Sequence, residues 1–142
     1  VIGVVRTFPI RVANRYDEKG AMVGWSGPHF PDQEEITWQA LGQAPEYTTV
    51  TKLERRVFSP SRMQLQHAIE GCRPDEIALT FCDYAPELVD ALINEIQGIS
   101  ADQGSPALVR YTAWGPNEHD IKERRLLDPC DYGAGDGGYT TR

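Results

Sequence analysis

The most regular hydrophobic pattern in the chain lies in residues 86–98. Its apolar side chains recur every three or four positions and so share one face of a helix: Leu88, Val89, Leu92, Ile93 and Ile96. Polar residues take most of the other positions, which is typical of an amphipathic helix that buries one face. We therefore predict a helix over residues 86–98.

Two apolar runs flank this helix, at residues 75–84 and 107–112. The first is nearly continuous and lies between Pro74 and Pro86, as expected of a strand that is buried on both faces. A strand, a helix and a second strand in this order predict a unit whose two strands are parallel.

The patterns are weaker in the first third of the chain. Residues 1–12 are rich in Val, Ile, Thr and Phe and predict one strand, in which Pro9 removes a ladder hydrogen bond and so favours an edge position or a bulge. Turn-forming residues at 14–20, followed by apolar residues at 21–25, predict a hairpin. Residues 26–33 predict an irregular loop.

Capping residues predict two further helices. Asp32 can begin a helix over residues 33–41, and Ser61 can begin another that runs to residue 70, with a glycine directly after each. Together these elements indicate an α/β fold with a mixed, partly parallel sheet and flanking helices.

The length of the chain suits one domain. Its 142 residues, of which 40% are hydrophobic, can bury a core but leave no room for two domains. We expect this domain to cover residues 1–128 and the glycine-rich residues 129–142 to form a flexible tail. Gly133-Ala134-Gly135 is not a phosphate-binding loop, because no predicted strand precedes it and no helix follows it.

Composition narrows the function classes. The net charge of −7 argues against a broad nucleic-acid-binding surface. Cys72, Cys82 and Cys130 lack a CxxC spacing and leave one thiol unpaired, so we expect buried thiols in a reducing cytoplasm. No apolar run approaches the roughly 20 residues of a membrane helix, so we expect no membrane partner. His29 and His67 have no ligand-spaced neighbours, which predicts no metal site.

Residues 46–58 (EYTTVTKLERRVF) carry the densest polar chemistry. Their threonine hydroxyls, Lys52 and the pair Arg55 and Arg56 can bind a carboxylate or phosphate. An ordinary half-buried strand with charged outward residues is the alternative interpretation. The anion-binding and strand interpretations are compatible if a loop through Thr51 leads into a strand over residues 55–58.

Asp83 is a second candidate, because it follows the most strand-like segment of the chain. Ligands of open α/β sheets bind at the carboxyl ends of strands, where a carboxylate can accept hydrogen bonds from them. The alternative role for Asp83 is to cap the next turn.

The polar segment resembles a known loop. In the adenylosuccinate synthetases a Thr-Thr-Gly-Arg-x-Arg-Arg loop holds the aspartate substrate, and residues 50–56 (VTKLERR) look like a divergent copy. With Arg55 and Arg56 aligned to the final arginines, Leu53 takes the place of the first arginine. Lys52 takes the place of the glycine and can supply the missing charge.

Other segments resemble the same family in the same order. Residues 1–12 resemble the strand that carries a nucleotide-contacting arginine, here Arg11, and Ser26-Gly27-Pro28 resembles the segment that follows it. Residues 77–84 resemble the strand ending in Lys-x-Asp that reads guanine. Trp114-Gly115-Pro116 resembles the Thr-Gly-Pro turn beside the same base. The sequences of these segments are most similar to those of the short archaeal and phage-type members, some of which make 2-aminoadenylosuccinate.

The resemblance implies the C-terminal part of a P-loop-like, nucleotide-dependent ligase. Such an enzyme joins L-aspartate to a purine nucleoside monophosphate, either IMP or a (d)GMP-type acceptor, at the cost of a nucleoside triphosphate. By the same resemblance Arg11 would contact the monophosphate, and Thr49, Thr51, Lys52 and Arg55 would bind the aspartate carboxylates. The purine of the triphosphate would lie against Asp83 and Trp114, Gly115 and Pro116. Phe81 replaces the family's guanine-reading lysine, which leaves both GTP and ATP open as the donor.

The catalytic part of such an enzyme is missing from the sequence. There is no Gln-Trp-Gly-Asp-Glu-Gly-Lys pattern, no other glycine-rich loop that opens a helix, and no His and Asp placed as a catalytic pair. The resemblance implies that an N-terminal half supplies these groups and binds Mg²⁺, that this chain alone is inactive, and that a homodimer is compatible with the family. The alternative function is a non-catalytic, stand-alone nucleotide-binding or interaction module derived from the same fold.

Overall fold

The computed structural model describes residues 1–124. In chain order its strands and helices are β1 (Ile2–Arg6), β2 (Ile10–Arg11), β3 (Arg15–Tyr16), β4 (Met22–Gly24), β5 (Glu35–Ile36), β6 (Arg56–Phe58), α1 (Arg62–Cys72), β7 (Glu76–Thr80), α2 (Val89–Asp102), β8 (Leu108–Ala113) and β9 (Ile121–Glu123). Short 3-10 turns follow β7, precede α2 and precede β9.

The main sheet has four strands in the order β1-β7-β8-β9. β1, β7 and β8 are parallel, whereas β9 pairs antiparallel with β8. This confirms the predicted α/β class with a mixed, partly parallel sheet. The predicted strand-helix-strand unit is confirmed as β7, α2 and β8. α2 runs beyond the predicted end at residue 98 to Asp102, so Gly98 lies inside it.

The main core lies between this sheet and the two helices. Its buried side chains come from α1, α2, β7 and β8 and from the ends of these elements: Leu65, Ile69, Ile77, Leu79, Cys82, Val89, Leu92, Ile93, Ile96, Ile99, Ala107 and Val109. Complete burial of one such isoleucine or leucine stabilises the fold by about 1.5–3 kcal/mol. α1 begins at the predicted cap, where Ser61 Oγ accepts from Gln64 N at 2.9 Å. It continues through Gly71 to Cys72.

The prediction of one strand over residues 1–12 is wrong. β1 ends at Arg6, and β2 pairs with β6 in a separate three-stranded sheet of order β2-β6-β5. Between them the hydroxyl of buried Thr7 donates to the carbonyl of Phe81 at 2.8 Å. Pro9 has no N–H to continue a ladder, but its carbonyl accepts from Phe58 N at 2.9 Å. The chain therefore changes sheets at the proline.

The helix predicted over residues 33–41 is also wrong. This segment contains β5, which pairs antiparallel with β6, and then turns. Trp38 is buried and its indole N–H donates to the carbonyl of Arg55 at 2.7 Å, so tertiary packing outweighs the local capping signal. Asp32 caps α1 instead, accepting from Ser61 Oγ at 2.7 Å and from Met63 N at 3.0 Å. These two donors lower the pKa of Asp32.

The remaining predictions have mixed outcomes. The hairpin is confirmed as β3 and β4, and residues 26–33 form no helix or strand.

Cys82 is buried, and burial raises the pKa of its thiol to about 11, whereas Cys72 is exposed, contrary to the prediction. Cys130 and residues 129–142 lie outside the described residues. None of the described helices is both long and apolar enough to cross a membrane.

Candidate functional site

A pocket of about 380 Å³ opens at the carboxyl ends of β7 and β8. Seven residues line it: Thr80, Phe81, Asp83, Tyr84, Ala113, Gly115 and Pro116. We call it the aromatic pocket. It brings together three residues that the sequence placed in a nucleotide site, Asp83, Gly115 and Pro116, although they are about thirty positions apart. Parallel pairing of β7 with β8 sets the two strand ends side by side.

Phe81 and Tyr84 form the aromatic wall of this pocket. Their rings meet edge to face, with centroids 5.1 Å apart. Phe81 has a positive φ of 60°, which is unfavourable for a bulky residue, and its carbonyl accepts from Thr7 Oγ1 and from Tyr84 N. This turn ends β7 and leaves Asp83 exposed at the pocket. The nearby N-cap positions are Phe81, Ala85 and Leu88, so Asp83 is not an N-cap here.

The opposite wall is a tightly packed turn. A Cβ on Gly115 would lie 2.5 Å from Asp120 Oδ2, so a side chain at this position would displace the Asp120 carboxylate. That carboxylate accepts from the backbone and side-chain nitrogens of Asn117 at 3.0 and 3.1 Å. Trp114 does not line the pocket. It packs against the main core, with Nε1 donating to Thr112 Oγ1 at 3.0 Å.

The segment with the densest polar chemistry forms a hairpin over residues 46–55, which we call the Thr-rich hairpin. Tyr47 and Glu54 pair antiparallel near its base, and Thr48 N donates to Leu53 O at 2.9 Å. Thr48 Oγ1 accepts from Leu53 N at 3.0 Å, so this hydroxyl stabilises the hairpin itself. The predicted ligand residues at the tip are all exposed: Thr49, Thr51 and Lys52. As predicted, the segment leads into a strand, β6.

The adjacent arginines Arg55 and Arg56 have different surroundings. Arg56 donates through Nε and Nη2 to the two carboxylate oxygens of Glu35, at 2.7 and 2.6 Å, and through Nη1 to Ser26 Oγ at 2.7 Å. This pair raises the pKa of Arg56 and lowers the pKa of Glu35. The Nε atom of Arg55 is buried and has no hydrogen-bond partner in the described part of the chain. The side chain of Arg56 is therefore held by the fold, whereas the Nε–H of Arg55 is left unpaired.

Arg11 lies next to the loop that the family resemblance associates with it. Its Nη1 donates to the carbonyl of Ser26 at 3.3 Å, and a Cβ on Gly27 would come within 3.3 Å of the same nitrogen. The Arg11 guanidinium also lies 6.0 Å from the Phe58 ring centroid, and the Arg56 guanidinium lies 5.0 Å from the same centroid. The sequence-predicted Arg11 and Ser26-Gly27 are thus in contact.

Sequence reasoning missed a cluster that joins the aromatic pocket to the Thr-rich hairpin. Arg6 forms a salt bridge with Glu46, and its guanidinium lies 3.5 Å from the Phe81 ring centroid. Tyr84 Oη donates to Glu46 Oε1 at 3.1 Å. Burial and this carboxylate raise the pKa of Tyr84. The available signal was a single arginine within the apolar run of residues 1–10, since a charge on a packed strand needs a partner.

Comparisons with known proteins identify the relatives of this chain. No family model matches it. It is 51% identical over 122 residues to the N6-succino-2-amino-2'-deoxyadenylate synthase of Acinetobacter phage SH-Ab 15497, covering 86% of this chain and 30% of that protein. It is 48% identical over 126 residues to the enzyme of the same name from Salmonella phage PMBT28, covering 85% of this chain and 34% of that protein.

A solved structure agrees with these sequence matches. The succinoaminodeoxyadenylate synthetase of Cyanophage S-2L, bound to dGMP and to dATP as an energy donor, superposes with a TM-score of 0.65 at 39% identity. The match covers 86% of this chain and 32% of that one. This chain thus spans about a third of the length of these relatives. The resemblance to the adenylosuccinate synthetase family is confirmed, and the chain is homologous to part of its short phage-type members, the N6-succino-2-amino-2'-deoxyadenylate synthases.

Proposed function

We propose that this chain is the C-terminal, ligand-recognising part of a ligase that joins L-aspartate to a dGMP-type nucleotide at the cost of a nucleoside triphosphate. The observation that carries the proposal is the aromatic pocket, in which Asp83, Gly115 and Pro116 meet at the carboxyl ends of two parallel strands. Identity of 44–51% to three phage synthases supports the same chemistry.

The donor nucleotide in this proposal is ATP or dATP, bound with its base in the aromatic pocket. Phe81 and Tyr84 offer flat rings, and contact of a base with an aromatic side chain contributes about 1–3 kcal/mol. The Asp83 carboxylate can accept from the exocyclic amino group of adenine. Phe81 stands where the family's guanine-reading lysine would lie, and the Cyanophage S-2L relative holds dATP as its donor.

The Thr-rich hairpin and Arg11 take the other two ligands in this proposal. Lys52 and the Arg55 guanidinium would pair with the aspartate carboxylates, and Thr49 and Thr51 would add hydroxyl donors. Arg11 would contact the monophosphate beside Ser26-Gly27. The unpaired Nε of Arg55 supports the assignment of this residue to aspartate, because the hydrogen bonds of the fold do not fully satisfy its guanidinium.

In this proposal Mg²⁺ is bound by an N-terminal half of the same enzyme, as the family resemblance implies. No group of three or more His, Cys, Asp or Glu side chains is close enough to hold a metal ion within residues 1–124. The phosphate-binding loop and the catalytic residues belong to the same N-terminal half in this proposal. The chain's own residues bind and orient the base, the monophosphate and aspartate.

The direct test uses the complete gene product that contains this chain. It is incubated with dGMP, L-aspartate and dATP, and the N6-succino product is measured by mass together with released phosphate. Arg55→Ala is expected to raise the KM for aspartate at least tenfold, because a lost charge-assisted hydrogen bond costs about 1.5–3 kcal/mol. Lys19→Ala, which removes an exposed charge in the β3–β4 turn, is the matched control.

The same experiment separates the ligase from a stand-alone binding module. A module that kept only the fold would bind nucleotide but form no product, even as the complete gene product. Product formation with an unchanged aspartate KM in Arg55→Ala would instead remove the Thr-rich hairpin from the aspartate site.

A further inference from the structure

Arg6 is held by groups from both parts of the candidate site. Its Nε donates to the carbonyl of Phe8 at 2.9 Å, which fixes the guanidinium plane. The guanidinium lies over the Phe81 ring at 3.5 Å and is 5.5 Å from the ring centroid of Tyr84. Its two Nη donors both face the Glu46 carboxylate. Arg6 therefore connects the aromatic wall of the pocket with the first residue of the Thr-rich hairpin.

Glu46 continues this connection through its side chain and its backbone. Its carboxylate accepts from Tyr84 Oη at 3.1 Å, while its carbonyl accepts from Arg55 N at 2.7 Å. Two contacts thus join a residue of the pocket wall to the arginine assigned to aspartate. The side chains of Arg6 and Glu46 are only 15% and 26% exposed.

Because this pair is largely shielded from solvent, breaking it is expected to destabilise its surroundings more than breaking an ordinary surface ion pair. Exposed pairs contribute little because water screens them and both side chains lose freedom. Removing one member of a shielded pair leaves the other charge without compensation, so its neighbours rearrange. Here those neighbours are Phe81, Tyr84 and the base of the Thr-rich hairpin.

We propose that Glu46 and Arg6 are positioning residues that hold the Thr-rich hairpin against the aromatic wall, so that a base in the pocket orders the aspartate-binding hairpin. The effect on aspartate rests on the proposed function, whereas the positioning itself does not. A base packed on Phe81 and Tyr84 restricts their rings, and the rings contact Arg6 and Glu46 directly. Because such coupling is reciprocal, the triphosphate and aspartate would each raise the affinity for the other.

Hydrogen exchange on the complete gene product without ligands tests the positioning. Tyr84→Phe removes only the hydroxyl that reaches Glu46, and Glu46→Gln removes the charge that pairs with Arg6. Both are expected to speed exchange about tenfold at the hairpin amides of Lys52, Leu53 and Arg55, while amides of β7 and α2 stay unchanged. Tyr16→Phe, an exposed tyrosine of β3, is the matched control. Unchanged exchange of the hairpin in both variants would overturn the inference.

Steady-state kinetics of the complete gene product test the consequence for aspartate. In the wild type the KM for aspartate is expected to fall severalfold as dATP approaches saturation, and Tyr84→Phe should abolish this dependence. A purely structural hydroxyl would lower the active fraction and leave the dATP dependence intact, which would refute the coupling. Absence of any ligase product contradicts the proposed function instead, and the exchange experiment then still decides the positioning.

Discussion

Arg56 and Glu35 form a two-pronged ion pair across neighbouring strands, with Nε–Oε1 and Nη2–Oε2 distances of 2.7 and 2.6 Å. The geometry uses the planar fork of arginine, which lysine could not reproduce. It also separates Arg56 from its neighbour Arg55, whose Nε is buried and unpaired within residues 1–124. Two adjacent arginines that look equivalent in the sequence therefore have different roles.

This difference predicts opposite phenotypes for the two alanine variants. Arg56→Ala is expected to lower the unfolding free energy by about 1.5–3 kcal/mol, because it removes charge-assisted bonds to Glu35 and Ser26. Arg55→Ala should change stability by less than about 1 kcal/mol while weakening aspartate binding. Urea denaturation and aspartate titration of both variants check this. The assignment fails if Arg55→Ala is the less stable of the two.

Asp83→Asn should change the base preference of the aromatic pocket. A carboxylate offers two acceptors to the N1 and N2 donors of guanine, whereas adenine presents only its exocyclic amino group at that edge. An asparagine keeps one acceptor, so the ratio of Kd for GTP to Kd for ATP is expected to rise about tenfold. Titration of the variant with both nucleotides measures it. Equal losses for both would argue that Asp83 does not face the base.

Gly115→Ala should disturb the pocket wall. The new Cβ would meet Asp120 Oδ2 at 2.5 Å and displace a carboxylate that holds the turn through Asn117. We expect a loss of about 1–3 kcal/mol of stability together with weaker nucleotide binding. Gly98→Ala, inside α2 with nothing within 4 Å of its Cβ, is the matched control and should stabilise by about 0.5–1 kcal/mol. Thermal denaturation compares the two, and equal melting temperatures would contradict the tight packing.

Acid should weaken the cap of α1. The pKa of Asp32 lies below its ordinary value of 3.8, because the carboxylate accepts from Met63 N and Ser61 Oγ. A lowered folded-state pKa stabilises the fold above the unfolded pKa, and this contribution is lost as the pH falls through the folded pKa. We therefore expect the unfolding free energy to drop more steeply in the wild type than in Asp32→Asn as the pH falls below 3.8. Identical pH profiles would show that the cap is not charged.

The predictable part of the candidate site came from local chemistry and strand order. Asp83 was named from the end of a strand and Gly115 from the family resemblance, and a helix between two neighbouring strands is the usual connection of parallel strands. The connection through Arg6, Glu46 and Tyr84 was not predictable in this way. Arg6 and Glu46 are 40 positions apart and Glu46 and Tyr84 are 38 positions apart, and no local pattern links them.

The sequence by itself determined the parallel β7–α2–β8 unit and the cap of α1 at Ser61, because each depends on residues close together in the chain. It also determined the family resemblance, which rests on short motifs that can each be read without the fold. Only the tertiary structure decided that residues 1–12 divide between two sheets, that residues 33–41 pair with β6 instead of forming a helix, and that Arg56 rather than Arg55 is committed to the fold. The intrinsic preference of a residue for helix contributes only about 0.5 kcal/mol to stability. Burial of Trp38 and Phe58 and the partnering of buried charges are each worth more, and they depend on neighbours that only the folded chain brings together.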